Sequence, residues 1–158
     1  MTLQLAKKQI MDHMARRNHS ELELREKLEF VFASEIIDDA LAWAKQQNWF
    51  VSPESLTAYV VEQLQRRGKG IAAINRSLEA KGLQPVILSA ADELDKARKV
   101  AFAKWSADDF DGLDLKDAQK LKTKIMRLLI SRGFDEDIIQ DILKKDFKAG
   151  VLSHDEQF

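Results

Sequence analysis

The chain has no cysteine, two prolines, six glycines and one tyrosine in 158 residues. Without cysteine there are no disulfides and no thiolate-bound zinc, which suits a reducing interior. So few glycines and prolines leave little turn chemistry for a many-stranded β fold. A dominant charge is missing too: 25 Lys and Arg stand against 26 Asp and Glu, and a net charge of −1 by itself points to neither nucleic acid nor a membrane surface. No apolar run approaches the roughly 18 residues of a spanning helix. Met1 to Ile10 carries neither the apolar core nor the small-residue cleavage site of a secretory leader. The expectation is a soluble, cytoplasmic protein with no membrane contact.

What is present is an apolar content of 45%, enough to bury a core, and a recurrence with a period near fifty residues. Leu24 and Leu28 correspond to Ile74 and Leu78 and then to Ile125 and Leu129, at offsets of 50 and 51. The flanks keep register: Ala33, Leu83 and Phe134 are followed by Ile37, Ile87 and Ile138, then by Leu41, Ala91 and Ile142. Arg16-Arg17 corresponds to Arg66-Arg67. Gly82 and Gly133 mark the same turn, where the first copy has Phe32. The pattern predicts an all-α, elongated tandem array of three three-helix repeats resembling helix-turn-helix units. They cover residues 1–50, 51–91 and 92–148, with an acidic loop at 106–115 and a flexible tail at 149–158.

Apolar spacings of three and four predict helices over 3–17, 21–30, 35–47, 53–67, 71–81, 85–91, 93–105, 116–132 and 135–147. Ser20 with Glu23 forms a capping box, Ser52-Pro53-Glu54 opens a helix, Pro85 opens another, and Asp92 is a further N-cap. Gly68, Gly82 and Gly133 stand where helices should stop in the left-handed conformation.

Three features invite chemistry. Asp109, Asp111 and Gly112 match the third, fifth and sixth positions of an EF-hand loop, but Ala107 and Ala118 occupy the first and twelfth, so a solvated acidic linker is expected and no metal. Arg66-Arg67-Gly68-Lys69-Gly70 precedes a helix N-terminus and, taken alone, reads as a Gly-capped turn with solvated charges; the alternative is a site where backbone donors and cations hold a phosphate or carboxylate. From Lys116 to Arg132 six cations face one acid, Asp117. On a helical wheel Lys116, Lys120, Lys124 and Arg127 lie opposite Leu121, Ile125, Leu128 and Leu129, a cationic stripe suited to phosphates or an acidic protein, the alternative being a merely soluble face. His13, His19 and His154 are scattered, with no metal spacing, and no catalytic constellation stands out. Trp43, Trp49 and Trp105, with Phe50 and Tyr59, are expected to pack where repeats meet.

The stretch Arg16–Leu28, then Arg66-Arg67-Gly68-Lys69-Gly70-Ile71 through Leu78, Lys81-Gly82-Leu83, Trp43 through Phe50, and Lys124–Phe134 together resemble the RecX family, regulators of bacterial RecA recombinase. Two departures stand out: Asn48-Trp49-Phe50-Val51-Ser52-Pro53 replaces the usual start of the second repeat, and the first repeat lacks its turn glycine. The resemblance implies a non-enzymatic, monomeric inhibitor without cofactors. It would bind the RecA filament and block its extension, ATP hydrolysis, strand exchange and coprotease activity, with at most weak contact to single- or double-stranded DNA. Candidate partner- or DNA-facing residues are Arg16, Arg17, Arg25, Arg66, Arg67, Lys69, Lys116, Lys120, Lys124 and Arg127. The competing reading is a helical module that binds nucleic acid directly; against it, no Arg, Asn and Gln cluster opens a plausible recognition helix.

Overall fold

The computed structural model describes residues 2–148; His154 and the expected tail lie outside them. These residues form eight α-helices, one 3-10 helix and no strand: α1 (Leu3–Arg16), α2 (Glu21–Leu28), α3 (Ser34–Gln46), α4 (Pro53–Arg66), α5 (Ile71–Ala80), α6 (Ala90–Phe102), the 3-10 helix Ala107–Phe110, α7 (Leu115–Ser131) and α8 (Glu136–Lys145). They divide into two compact units, the first comprising Met1–Glu62 with Arg76–Pro85 and the second Gln63–Asn75 with Val86–Phe158.

In the first unit α1, α2 and α3 pack together around Ile10, Leu24, Leu28, Phe32, Ile37 and Leu41. Helix α2 starts on the expected capping box: the Ser20 hydroxyl accepts from the Glu23 N–H at 3.1 Å and the Glu23 carboxylate accepts from the Ser20 N–H at 3.0 Å. Its end needs no glycine. The Val31 and Phe32 amides both turn back to the Leu28 carbonyl, and Phe32 goes into the core at 5% exposure. Helix α3 stops at Asn48, whose φ of +58° makes it the left-handed residue here. Trp43 and Trp49 meet edge to face at 4.9 Å and, with Phe50, pack on this same core. Helix α4 opens as expected, with the Ser55 N–H on the Ser52 hydroxyl at 3.1 Å and Pro53 at its first position.

In the second unit α6, α7 and α8 surround Ile125, Leu129, Ile139, Ile142, Phe110 and Phe147. Trp105 packs against this core, so the tryptophans serve the interiors of single units, while Tyr59 is 45% exposed. Gly68, Gly82 and Gly133 all have φ between +73° and +92°, as their places at helix ends predict.

The helix expected over 85–91 is not formed, and the middle stretch of the chain has two α-helices. The Asn75 side chain occupies Val86 instead: its amide donates to the Val86 carbonyl at 3.1 Å and its oxygen accepts from the Val86 N–H at 2.8 Å. With that backbone engaged, helix begins only at Ala90, capped by Ser89, whose hydroxyl accepts from the Asp92 N–H at 3.1 Å. Asp92 is therefore inside the first turn and not the cap. Ile87, the counterpart of core residues Ile37 and Ile138, is 98% exposed as a result.

Candidate interaction surfaces

The first cluster of charge forms where α1 hands over to α2. Glu23 is 8% exposed and receives Arg17 Nη2 at 2.6 Å and Lys81 Nζ at 2.9 Å on one oxygen, with the Ser20 amide on the other. Burial pushes its pKa up, but the hydrogen bonds from Arg17, Lys81 and Ser20 outweigh it and bring the value down to about 2. Arg17 is thus committed to holding the corner together. Arg25 is likewise paired, with Asp38 at 2.8 Å, and Arg16 is exposed in the last turn of α1. The fold also brings His13 and His19 together, with ring centroids 5.5 Å apart. Burial lowers both pKa values, helped at His13 by Lys27 and at His19 opposed by the Nδ1 hydrogen bond to the Arg17 carbonyl at 3.0 Å.

The second candidate, Arg66–Gly70, is the Gly-capped turn, with Gly68 left-handed at φ +74°, and not the alternative anion cradle. Three of the amides opening α5 are consumed by the chain itself: Gly70 N–H donates to the Arg132 carbonyl at 2.7 Å, Ile71 N–H to Glu93 Oε2 at 3.0 Å and Ala72 N–H to the Gly133 carbonyl at 3.0 Å. A helix N-terminus attracts an anion through unpaired donors and its dipole. Here Glu93, 3% exposed and paired with Lys96 at 2.6 Å, is that anion. The backbones come so close that a Cβ on Gly70 would lie 2.5 Å from the Gly133 oxygen. What remains is side-chain charge: Arg66 and Arg67 are exposed, Lys69 is half-buried, and the Arg67 carbonyl accepts from Arg132 at 3.2 Å.

The third candidate is α7. Ala118, Ile125 and Leu129 are buried and Leu121 packs beside them, whereas Lys116, Lys120, Lys124 and Arg127 are exposed. None of the four forms an ion pair among the described residues. At about 1.5 Å per residue the row from Lys116 to Arg127 runs on the order of 16 Å.

The acidic loop does structural work. Asp109 accepts from the Ser106 N–H at 2.9 Å, and Asp114 caps α7 by accepting from the Asp117 N–H at 2.7 Å. Among the described residues no group of three or more His, Asp or Glu side chains has the geometry to hold a metal ion. No described helix is long and apolar enough to cross a membrane.

Glu23 with Lys81, and Glu93 with Ile71, were not legible as partners because 58 and 22 residues separate them. A buried acid next to a helix start was the available signal in each case.

No protein-family model matches the chain. It is 30% identical over 145 residues to "Regulatory protein RecX" of Haemophilus influenzae Rd, covering 88% of this chain and 93% of that one. It is 33% identical over 130 residues to the protein of the same name in Pasteurella multocida, covering 77% and 75%. In structure it is similar to RecX from Lactobacillus salivarius, with a TM-score of 0.65 and 16% identity over 90% of this chain and 95% of that one. A second RecX crystal structure matches with a TM-score of 0.62 and 16% identity, covering 90% and 72%.

Proposed function

The chain belongs to the RecX family of regulatory proteins, and on that premise we propose that it is a monomeric, non-enzymatic negative regulator of a RecA recombinase. It binds the RecA–DNA filament and restrains extension, ATP hydrolysis, strand exchange and coprotease activity. The observation that carries this reading is the row of four exposed, unpaired cations on α7, a surface built for an extended acidic partner. Arg66, Arg67 and Lys69 are a second patch of the same sign. Arg16 offers an exposed cation in the first unit, Arg25 is offset by its pair with Asp38, and Arg17 positions the corner beside them. The fifty-residue recurrence fits a tandem array of three repeats, in which similar elements recur along the chain for contact with a repeating filament.

The test is DNA-dependent ATP hydrolysis by the recombinase of the same organism. Substoichiometric protein should lower it, and no inhibition at equimolar protein would refute the reading. Direct action on nucleic acid is the second reading, favoured by the fact that an unpaired cationic row also suits phosphates. It predicts tight binding to free duplex that falls steeply with salt. The regulator binds free DNA weakly.

A further inference from the structure

Phe30, in the turn between α2 and α3, is 93% exposed, and Val31 beside it is 42% exposed. A single apolar side chain on a surface is ordinary. The recurrence along the chain supplies the comparison that sets this pair apart. In register, Phe30-Val31 stands where the other copies have Ala80-Lys81 and Ser131-Arg132. All three turns close by returning amides to the ends of their helices: Val31 N–H to the Leu28 carbonyl at 3.1 Å, Lys81 N–H to Leu78 at 3.1 Å and Gly133 N–H to Ile130 at 2.9 Å. Alanine and serine therefore satisfy this turn, and a phenyl ring is not needed to close it. The core of the first unit takes Phe32 and leaves Phe30 out. Lys81 and Arg132 are spent inside the fold, on Glu23 and on the Arg67 carbonyl, whereas Val31 stays at the surface.

Charge selects what covers the pair. Along residues 25–39 the exposed charges without an ion pair among the described residues are Glu26, Glu29, Glu35 and Asp39 against Lys27. Arg25 is held by Asp38 at 2.8 Å. Arg17 and Lys81 line a cavity with Phe30, but both end on Glu23. The apolar tip thus sits in a net acidic stretch. Such a stretch repels the phosphates of nucleic acid and the headgroups of an anionic membrane. It also disfavours a second copy of this chain, because a symmetric contact would set the same acids against themselves. A protein surface with an apolar pocket and a basic rim is the complement.

We propose that Phe30 and Val31 form an anchor that inserts into an apolar pocket of the protein partner, with Glu26 and Glu29 meeting Lys or Arg at the rim of that pocket. The Val31 and Phe32 amides share the Leu28 carbonyl and Phe32 is fixed in the core, so the tip is pre-organised and loses little freedom on docking. A rigid aromatic buried at the centre of a contact, inside a polar rim, is the usual form of an interface hot spot. The proposal rests on the reading of the chain as a regulator that docks on a recombinase, and it names the side chains that dock.

The experiment uses the full-length chain and recombinase filaments on single-stranded DNA. Phe30→4-benzoylphenylalanine should, on irradiation, crosslink to the recombinase and neither to the DNA nor to a second copy of this chain. Phe30→Ala should weaken inhibition of ATP hydrolysis roughly tenfold, the scale of a buried aromatic anchor, with an unchanged melting temperature, while Phe30→Leu keeps most of the inhibition. Glu26→Lys combined with Glu29→Lys should weaken inhibition several-fold, and more so at low salt. The double change leaves the helix intact, because both positions are exposed near the C-terminal end of α2, where cations are favoured. A crosslink that is absent or falls on DNA or a second copy, full inhibition by folded Phe30→Ala, or inhibition kept or improved by the double change each overturns the anchor. Failure of the unaltered chain to inhibit the recombinase overturns the proposed function instead. The crosslink then decides the anchor by itself: a product with the recombinase sustains it, and none removes it.

Discussion

Single atoms decide more here than their small number suggests. Gly70 does not have a left-handed backbone, yet no larger residue fits, because its Cβ would meet the Gly133 oxygen at 2.5 Å. Relief would pull apart the amide contacts to Arg132 and Gly133 that open α5. Gly70→Ala should therefore lower stability by about 3 kcal/mol, combining overpacking with strained backbone hydrogen bonds, read as a shift in the denaturation midpoint. A loss too small to measure would mean that the backbones move apart freely. Glu23 makes a second prediction. Its folded-state pKa of about 2 lies below the ordinary 4.5, so its contribution is fully present above about 4.5 and disappears as the pH falls toward 2. Two to three pKa units correspond to roughly 3 kcal/mol. Glu23→Gln should lose that stability at neutral pH and flatten the acid limb of the stability curve, and an unchanged acid limb would contradict the assignment. Ser20 and Glu23 were readable as a capping box from their spacing alone. The two cations on the same carboxylate were not, since Arg17 precedes the motif and Lys81 follows it by 58 residues.

Among the elements, helices with a cap, an apolar stripe and a stop residue were legible: α2 from Ser20, α4 from Ser52-Pro53, α5 with Gly82 behind it, and α7 from its wheel. The stretch 85–91 failed for a physical reason. Repeat register gave Ile87 a core position, but periodicity does not reveal that the Asn75 amide will satisfy the Val86 backbone as a neighbouring strand would. Asn75→Ala removes both bonds and should loosen this segment, seen as faster amide exchange at Val86 with helicity retained. At Arg66–Gly70 the Gly-capped turn was legible, with Gly68 in the left-handed conformation, whereas sequence shows a helix N-terminus but not that Glu93 already sits on it. Helix α7 gives the prediction on function. Reversing Lys120, Lys124 and Arg127 to Glu leaves the buried face untouched, so circular dichroism should not change, while inhibition of the recombinase should fall several-fold. Each exposed pair is worth only about 0.2–1 kcal/mol, which is why three are changed together. Equal inhibition at low and moderate salt would make the row a solvated face only. The parallel change of Arg66, Arg67 and Lys69 tests the other patch independently.

At the scale of the whole molecule, the helical class was readable from the scarcity of glycine and proline and from the three-and-four spacing. The division into units was not, because repeat offsets follow sequence while the compact units do not. The first unit takes residues 1–62 and then, after a gap, 76–85; the second takes 63–75 and resumes at 86. The chain is therefore interleaved, and α4 and α5 each contribute to both units. This has a consequence for inheritance. A gene segment ending after Glu62 would encode Glu23 and Arg17 without Lys81, the second cation on that carboxylate. No single crossover can exchange either unit intact with a relative's gene, because three boundaries must change hands together. Swapping whole units between related chains should be disfavoured, and variation should accumulate by substitution on exposed faces such as that of α7.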